Sequence, residues 1–279
     1  MLAPPLPGQW RWTLGASGTT VHNEHAAMEG DVHLWHVQDI TTTESAFTLA
    51  RGLRPGLGAE VSAFVRHLTA RIDFEDEQRR PLRWPQGDIH HRNETLVGAG
   101  DPWLLLHGAR NAGGWTLSAR AGATLPLGRT EPNPFERGRR GLPHQHVQFG
   151  TGTVDPLLGL GVGRRMGDTA VALTALGRFT VSTNRHGYRA GDRYQGALEA
   201  TRRLGARWHA GAALMAVREQ PETWWGRLEE EGNLGRTDAL VSLALTRRAG
   251  AAALTAGVQV PVLTRATGAQ LDYPAVVFV

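Results

Sequence analysis

Every tight turn of this 279-residue chain falls on one side of an alternating pattern, and the long polar connections fall on the other. Apolar and small-polar residues alternate along stretch after stretch. Tight turns follow the even-numbered stretches: Arg54-Pro55-Gly56, Asn111-Ala112-Gly113-Gly114, Arg165-Met166-Gly167-Asp168, Leu204-Gly205-Ala206-Arg207 and Arg248-Ala249-Gly250. The connections after odd stretches are mostly long and charged. A meander with one short-turn rim and one long-loop rim has the pattern of a transmembrane β-barrel. The outer loops are then expected near residues 21–37, 75–92, 128–146, 186–191, 218–233 and 265–270.

The alternation supports the same reading. Trp10, Trp12, Leu14 and Ala16 interleave with Arg11, Thr13, Gly15 and Ser17. Val171, Leu173, Ala175 and Gly177 interleave with Ala172, Thr174, Leu176 and Arg178. Successive side chains of a strand point to opposite faces, so one face is apolar and the other small and polar. A soluble sandwich would give this pattern with its apolar face inward. The strands are longer than the usual five or six residues, their number is even at about twelve, and the loop asymmetry runs through the whole chain. These features predict one all-β domain over residues 1–279, a single antiparallel barrel with short periplasmic turns and longer extracellular loops.

Composition removes several alternatives. Without cysteine there is no disulfide framework and no thiol chemistry. All 30 basic residues are arginine, spread over turns and strand ends instead of gathered in a stripe, which argues against nucleic-acid binding. No run approaches the ~18 apolar residues of a spanning helix. The N-terminus lacks the basic and apolar regions of an export signal. Pro4-Pro5-Leu6-Pro7-Gly8 reads as the extended start of a mature chain, so the expected location is the bacterial outer membrane with the signal already absent.

Charged residues on the small-polar faces are Glu44, Glu60, Arg66, Arg120, Arg178 and Glu199. Facing lipid at mid-depth would cost an arginine about 2–4 kcal/mol, so these residues are expected to line the lumen. They form either a selectivity ladder at a constriction or a salt-bridge network that fills a narrow barrel. Asp101-Pro102 and Asp155-Pro156 recur at the start of two descending strands. Proline removes a ladder donor, and the neighbouring aspartate can cap freed N–H groups, so both pairs are expected to bend the wall. Such bends can also shape a lateral opening. Trp10, Trp12, Trp103, Trp115, Trp208, Trp224 and Trp225 lie near strand ends and predict an aromatic girdle.

Histidine supplies the other site signal. His22 with His25, His33 with His36, His90 with His91, and His144 with His146 all fall in the first three predicted loops. Imidazole suits copper, zinc or nickel, so a surface metal site is the alternative function. Gly159-Leu160-Gly161-Val162-Gly163 lacks the flanking strand and helix of a phosphate loop. Ser182, Asn184 and His186 carry no distinguishing hydrolase motif, so no catalytic residue is assigned.

Three segments carry a family resemblance: residues 50–61 at the first tight turn, Val97-Gly98-Ala99-Gly100-Asp101-Pro102-Trp103-Leu104, and the Gly-Thr-Gly-x-x-Asp-Pro run of residues 150–156. Here the chain resembles the outer-membrane transporters of the MetA-pathway of phenol degradation family, related in architecture to the fatty-acid transporter barrels. The resemblance implies a barrel for uptake of apolar or aromatic compounds; passive or gated diffusion that requires no cofactor is the expected mechanism, with a copper, zinc or nickel ion at the histidine loops as the alternative. The expected partners are the lipid bilayer, a small apolar solute and the barrel assembly machinery. Two features depart from that pattern. The hydrophobic N-terminal plug helix of the fatty-acid transporters is missing. The chain also ends Val277-Phe278-Val279, a few residues short of the expected terminal aromatic.

Overall fold

A computed structural model describes residues 2–29, 31–83, 92–268 and 272–279. In chain order its elements are β1 (Trp10–Glu29), β2 (Val32–Arg54), β3 (Leu57–Glu75), β4 (Pro81–Leu82), β5 (Glu94–Ala99), β6 (Trp103–Ala112), β7 (Trp115–Thr124), α1 (Pro134–Arg139), β8 (Pro156–Met166) and β9 (Thr169–Arg178). There follow β10 (Tyr188–Arg189), β11 (Arg193–Arg203), β12 (Trp208–Glu219), β13 (Thr223–Trp224), β14 (Asn233–Ala249), β15 (Ala252–Gly268) and β16 (Val276–Phe278).

Neighbouring strands pair antiparallel around the sheet, and β1 closes it through β16 on one side and β2 on the other. The ring has twelve staves, because β5 and β6 are two halves of one broken strand: β5 pairs with the upper part of β3 and β6 with the lower part. The five predicted tight turns join β2–β3, β6–β7, β8–β9, β11–β12 and β14–β15. At the β6–β7 hairpin, Gly113 and Gly114 have φ of 57° and 80°, a two-residue geometry matched to strand twist and open to glycine.

The cross-strand register fixes which residues face out. Along the lower barrel the outward set is apolar: Trp12, Leu14, Phe47, Val61, Val65, Leu104, Leu106, Leu158, Leu160, Leu173, Leu214, Leu243 and Val258 are all exposed. Trp12 and Leu160 each keep 70 % of their surface free. A chain in water would bury such a belt, whereas hydrocarbon covers it at no cost. At the turn rim, Trp10, Trp115 and Trp208 each carry an arginine over the ring: Arg51 at 5.1 Å, Arg164 at 5.5 Å and Arg247 at 5.9 Å. An indole whose face meets a cation and whose body meets lipid suits a membrane interface. The predicted girdle is corrected in two places. Trp103 lies opposite Ser62 on the inner face, and Trp224 is buried among the loops.

The first predicted outer loop is also corrected. Residues 21–29 and 32–37 are the upper ends of β1 and β2, strands of 20 and 23 residues. Up this wall the outward residues change from Phe47 and Val65 to Thr43 and His67, then to Asp39 and Arg71. The apolar residues cross to the inside, where Val21, Leu34, Ala70 and Ile72 are buried. A strand leaving hydrocarbon for water must exchange its faces in this way, and its polar outer face resembles a loop when read as sequence. The opposite wall, β7 to β12, is shorter, with strands of 10 to 12 residues.

Where the short wall stops, non-strand backbone completes it. Asp101 is buried at the gap between β5 and β6, and its carboxylate accepts from Gly128 N at 2.8 Å, Thr151 N at 2.5 Å, Thr151 Oγ1 at 2.9 Å and Gly152 N at 3.2 Å. Asp155 works differently. Its Oδ1 takes the Thr153 hydroxyl at 2.7 Å, while its backbone N–H donates to Thr124 Oγ1 at 2.9 Å. These bonds supply partners to backbone that has no neighbouring strand, a requirement at membrane depth. Leu127, Val154 and Val181 point outward here and continue the apolar belt. The bends therefore frame a hydrogen-bonded patch in the wall.

Candidate functional site in the lumen

The register puts all six predicted charges on the inner face. Glu44 stands opposite Arg66 and accepts from its Nη2 at 3.0 Å. Glu60, Arg120 and Glu199 lie lower, and Arg178 lies at the top of the short wall. Two cavities follow one another down the barrel. The upper, about 330 Å³, is lined by Glu44, Arg66, Arg178, Arg193 and Glu219 together with Phe64, Trp103, Phe149 and Tyr188. The lower, about 210 Å³, includes Arg120, Glu199, Ser118 and Met215. Leu176 and Gln195 belong to both linings, so the two lie one above the other along β9 and β11.

Sequence reasoning missed Arg193, Gln195, Glu219 and the aromatic wall. Arg193 faces Arg178 directly across β9 and β11, and Glu219 directly across β11 and β12, with an Arg193–Glu219 separation of 3.5 Å. Phe64 and Trp103 pack with ring centres 5.2 Å apart.

The floor is the N-terminal segment. Leu2 lines the lower cavity, and its carbonyl accepts from His107 Nε2 at 3.1 Å. The Ala3 carbonyl accepts from Arg11 Nη1 at 3.3 Å, and Pro7 bridges Gly52 in parallel. Glycines on the inner face make room. A Cβ at Gly161 would sit 2.6 Å from Leu2 Cδ2, and one at Gly58 2.7 Å from Pro4 Cβ. These residues run extended across the turn end of the lumen.

The roof is built by the loops above β9 and β12. Tyr188, Ala190 and Trp224 form a buried cluster against which Phe135 of α1 packs, and β10 pairs with β13. Glu222 accepts from Trp224 Nε1 at 3.2 Å, and burial pushes its carboxyl above the ordinary value of 4.5. Burial likewise raises the Tyr188 phenol well above its usual range. A carboxyl raised by folding supports the packed roof at low pH and loses that support as pH climbs from 4.5 through its raised value. Amide exchange across residues 222–228, corrected for intrinsic rates, should therefore be slower at about pH 5 than at about pH 8. Equal protection at both would contradict this linkage.

The histidine pairs of β1 and β2 separate. A spacing of three on an extended strand puts the two rings on opposite faces. His22 accordingly bonds Asp39 and Glu24, while His25 packs on His36 at 5.0 Å. His33 meets Trp35, and His36 is buried. His144 and His146 lie 5.3 Å apart, with His146 against Phe135. His90 and His91 lie outside the described residues. Among the described residues no three His, Cys, Asp or Glu side chains are gathered to hold a metal ion. The Ser182–His186 segment is a turn organised by Asn184, whose Oδ1 accepts from His186 N at 2.8 Å and Tyr188 N at 3.2 Å.

The whole architecture aligns with the crystal structure of an outer membrane channel from Pseudomonas putida F1, at a TM-score of 0.64 over 99 % of this chain and 96 % of that one. The fold is that of an outer membrane channel. Identity between the two is 11 %, so the likeness is one of fold. No family profile matches the chain, and no curated protein matches it. The fold implied by the resemblance to the phenol-degradation transporters is the fold observed.

Proposed function

We propose that this barrel sits in the outer membrane and lets small solutes diffuse through its lumen, without energy coupling and without a cofactor. The supporting observation is the stacked pair of cavities behind the apolar belt, roofed by loops and floored by residues 2–7. The upper cavity has the size of a small-ligand site and mixes aromatic walls with a few placed charges. Solutes bearing an aromatic or apolar body suit it better than fully hydrated ions. The bilayer fits the belt, and the assembly machinery for outer-membrane barrels is the expected folding partner.

Planar-bilayer recording of the refolded full chain tests the proposal. Discrete conductance steps are expected, with passage of small aromatic solutes in a proteoliposome swelling assay. A folded barrel that is silent in both would defeat the reading.

A further inference from the structure

The charges of the upper cavity do not cancel locally, and the imbalance identifies a ligand. Three carboxylates and three arginines line it. Asp101 is occupied by the four wall donors described above. Glu44 pairs with Arg66, and Glu219 pairs with Arg193 while accepting from Asn233 Nδ2 at 2.6 Å. Arg178 remains. Its Nη2 reaches the Gly191 carbonyl at 3.3 Å, and its Nε is buried without a hydrogen-bond partner. Opposite it in register stands Arg193, a second cation. Like charges placed directly across a strand pair destabilise a sheet; Glu219 relieves Arg193 alone, so Arg178 on the lumen face favours an anion beside it. A buried donor left unpaired is costly, and a carboxylate beside the guanidinium would offset that cost.

The geometry points to a binding site for a small aromatic monocarboxylate. Its carboxylate engages the guanidinium fork of Arg178 with Arg193 beside it, and its ring lies among Phe64, Trp103, Phe149 and Tyr188. This assignment deepens the proposed channel reading and rests on it for its biological sense. A planar guanidinium matches a carboxylate with two parallel bonds, whereas a phenol or alcohol of the same shape offers one oxygen and no charge. The cavity, at about 330 Å³, admits a single-ring acid and excludes long chains.

The test is calorimetric titration of the full chain in detergent with sodium benzoate and with benzyl alcohol. Benzoate should bind about tenfold or more tightly than the alcohol. Arg178→Gln should weaken benzoate by about tenfold or more and leave benzyl alcohol within about twofold. Arg178→Lys, which keeps charge but loses the fork, should fall between. Equal affinity of the wild-type chain for the two probes overturns the assignment, as does unchanged benzoate affinity in folded Arg178→Gln. If that variant does not fold, the two-probe comparison on the wild-type chain decides alone. A conducting barrel with no preference for benzoate rejects the carboxylate site and keeps the channel. A silent barrel that still prefers benzoate rejects the channel and keeps the site.

Discussion

Deleting residues 2–7 should raise single-channel conductance by about twofold or more, because those residues run across the turn end of the lumen from Gly163 past Gly58 to Gly52. The segment is held weakly compared with the wall. Its fixed points are one bond each from His107 and Arg11 to its carbonyls, the bridge of Pro7 to Gly52, and the seating of Leu2 beside Gly161 and Gly163. No strand pairing of the barrel depends on it, so the deletion should leave the heat-modifiable gel shift of the folded barrel unchanged. Unaltered conductance in a folded deletion variant would place the limiting constriction higher, at Leu176 and Gln195, where the two cavities meet.

That floor was invisible in the sequence, and the reason is physical. Residues 2–7 have neither the period of a strand nor that of a helix, so nothing in them announces a docking site. The signal lay in the recipient strands. Gly52, Gly58, Gly161 and Gly163 all occupy inner-face positions near the turn rim, where a barrel closed only by its own side chains would carry larger residues. Much of the wall, by contrast, was legible. Alternation with a period of two reports which face each residue takes, and five turns set the register. The register itself carried more than was read from it. Counting outward from the turn at Gly205 pairs Arg193 with Glu219, which would have brought both into the predicted lumen set.

The reading failed where one rule was stretched across two solvents. His22 and Glu24 look like loop residues only if strands are assumed to be greasy outside throughout. Above the hydrocarbon the same period persists with the faces exchanged, so the β1–β2 hairpin continues where a loop was expected. The histidine pairs of this hairpin come apart with it, since a spacing of three along a strand turns the two rings to opposite faces. The aromatic wall of the upper cavity was hidden for another reason. Phe149 and Tyr188 come from non-strand loop and a two-residue strand, which carry no periodicity, and they reach Phe64 and Trp103 only through the closed ring.

Asp101→Ala should destabilise the barrel by about 4 kcal/mol, a loss larger than that from changing any lumen charge singly. The carboxylate joins Gly128 to residues 151 and 152 across the gap between β5 and β6, and it is 6 % exposed. Three of its four donors are backbone N–H groups, and they have no strand neighbour to turn to. Alanine strands them in a stretch of wall whose outer side chains, Leu127 and Val154, face hydrocarbon. Asn should rescue only part of the loss, since its amide nitrogen would face donors that need an acceptor. Urea unfolding in lipid vesicles, followed by tryptophan emission, measures the difference. Because this patch is also the wall of the upper cavity, through Gly100, Asp101, Gly150 and Thr151, the same variant should leak hydrophobic dyes from the bilayer into the lumen. A stable Asp101→Ala barrel with an intact wall would mean that the aspartate–proline bends hold nothing in place, and the loop of residues 125–155 would need another anchor.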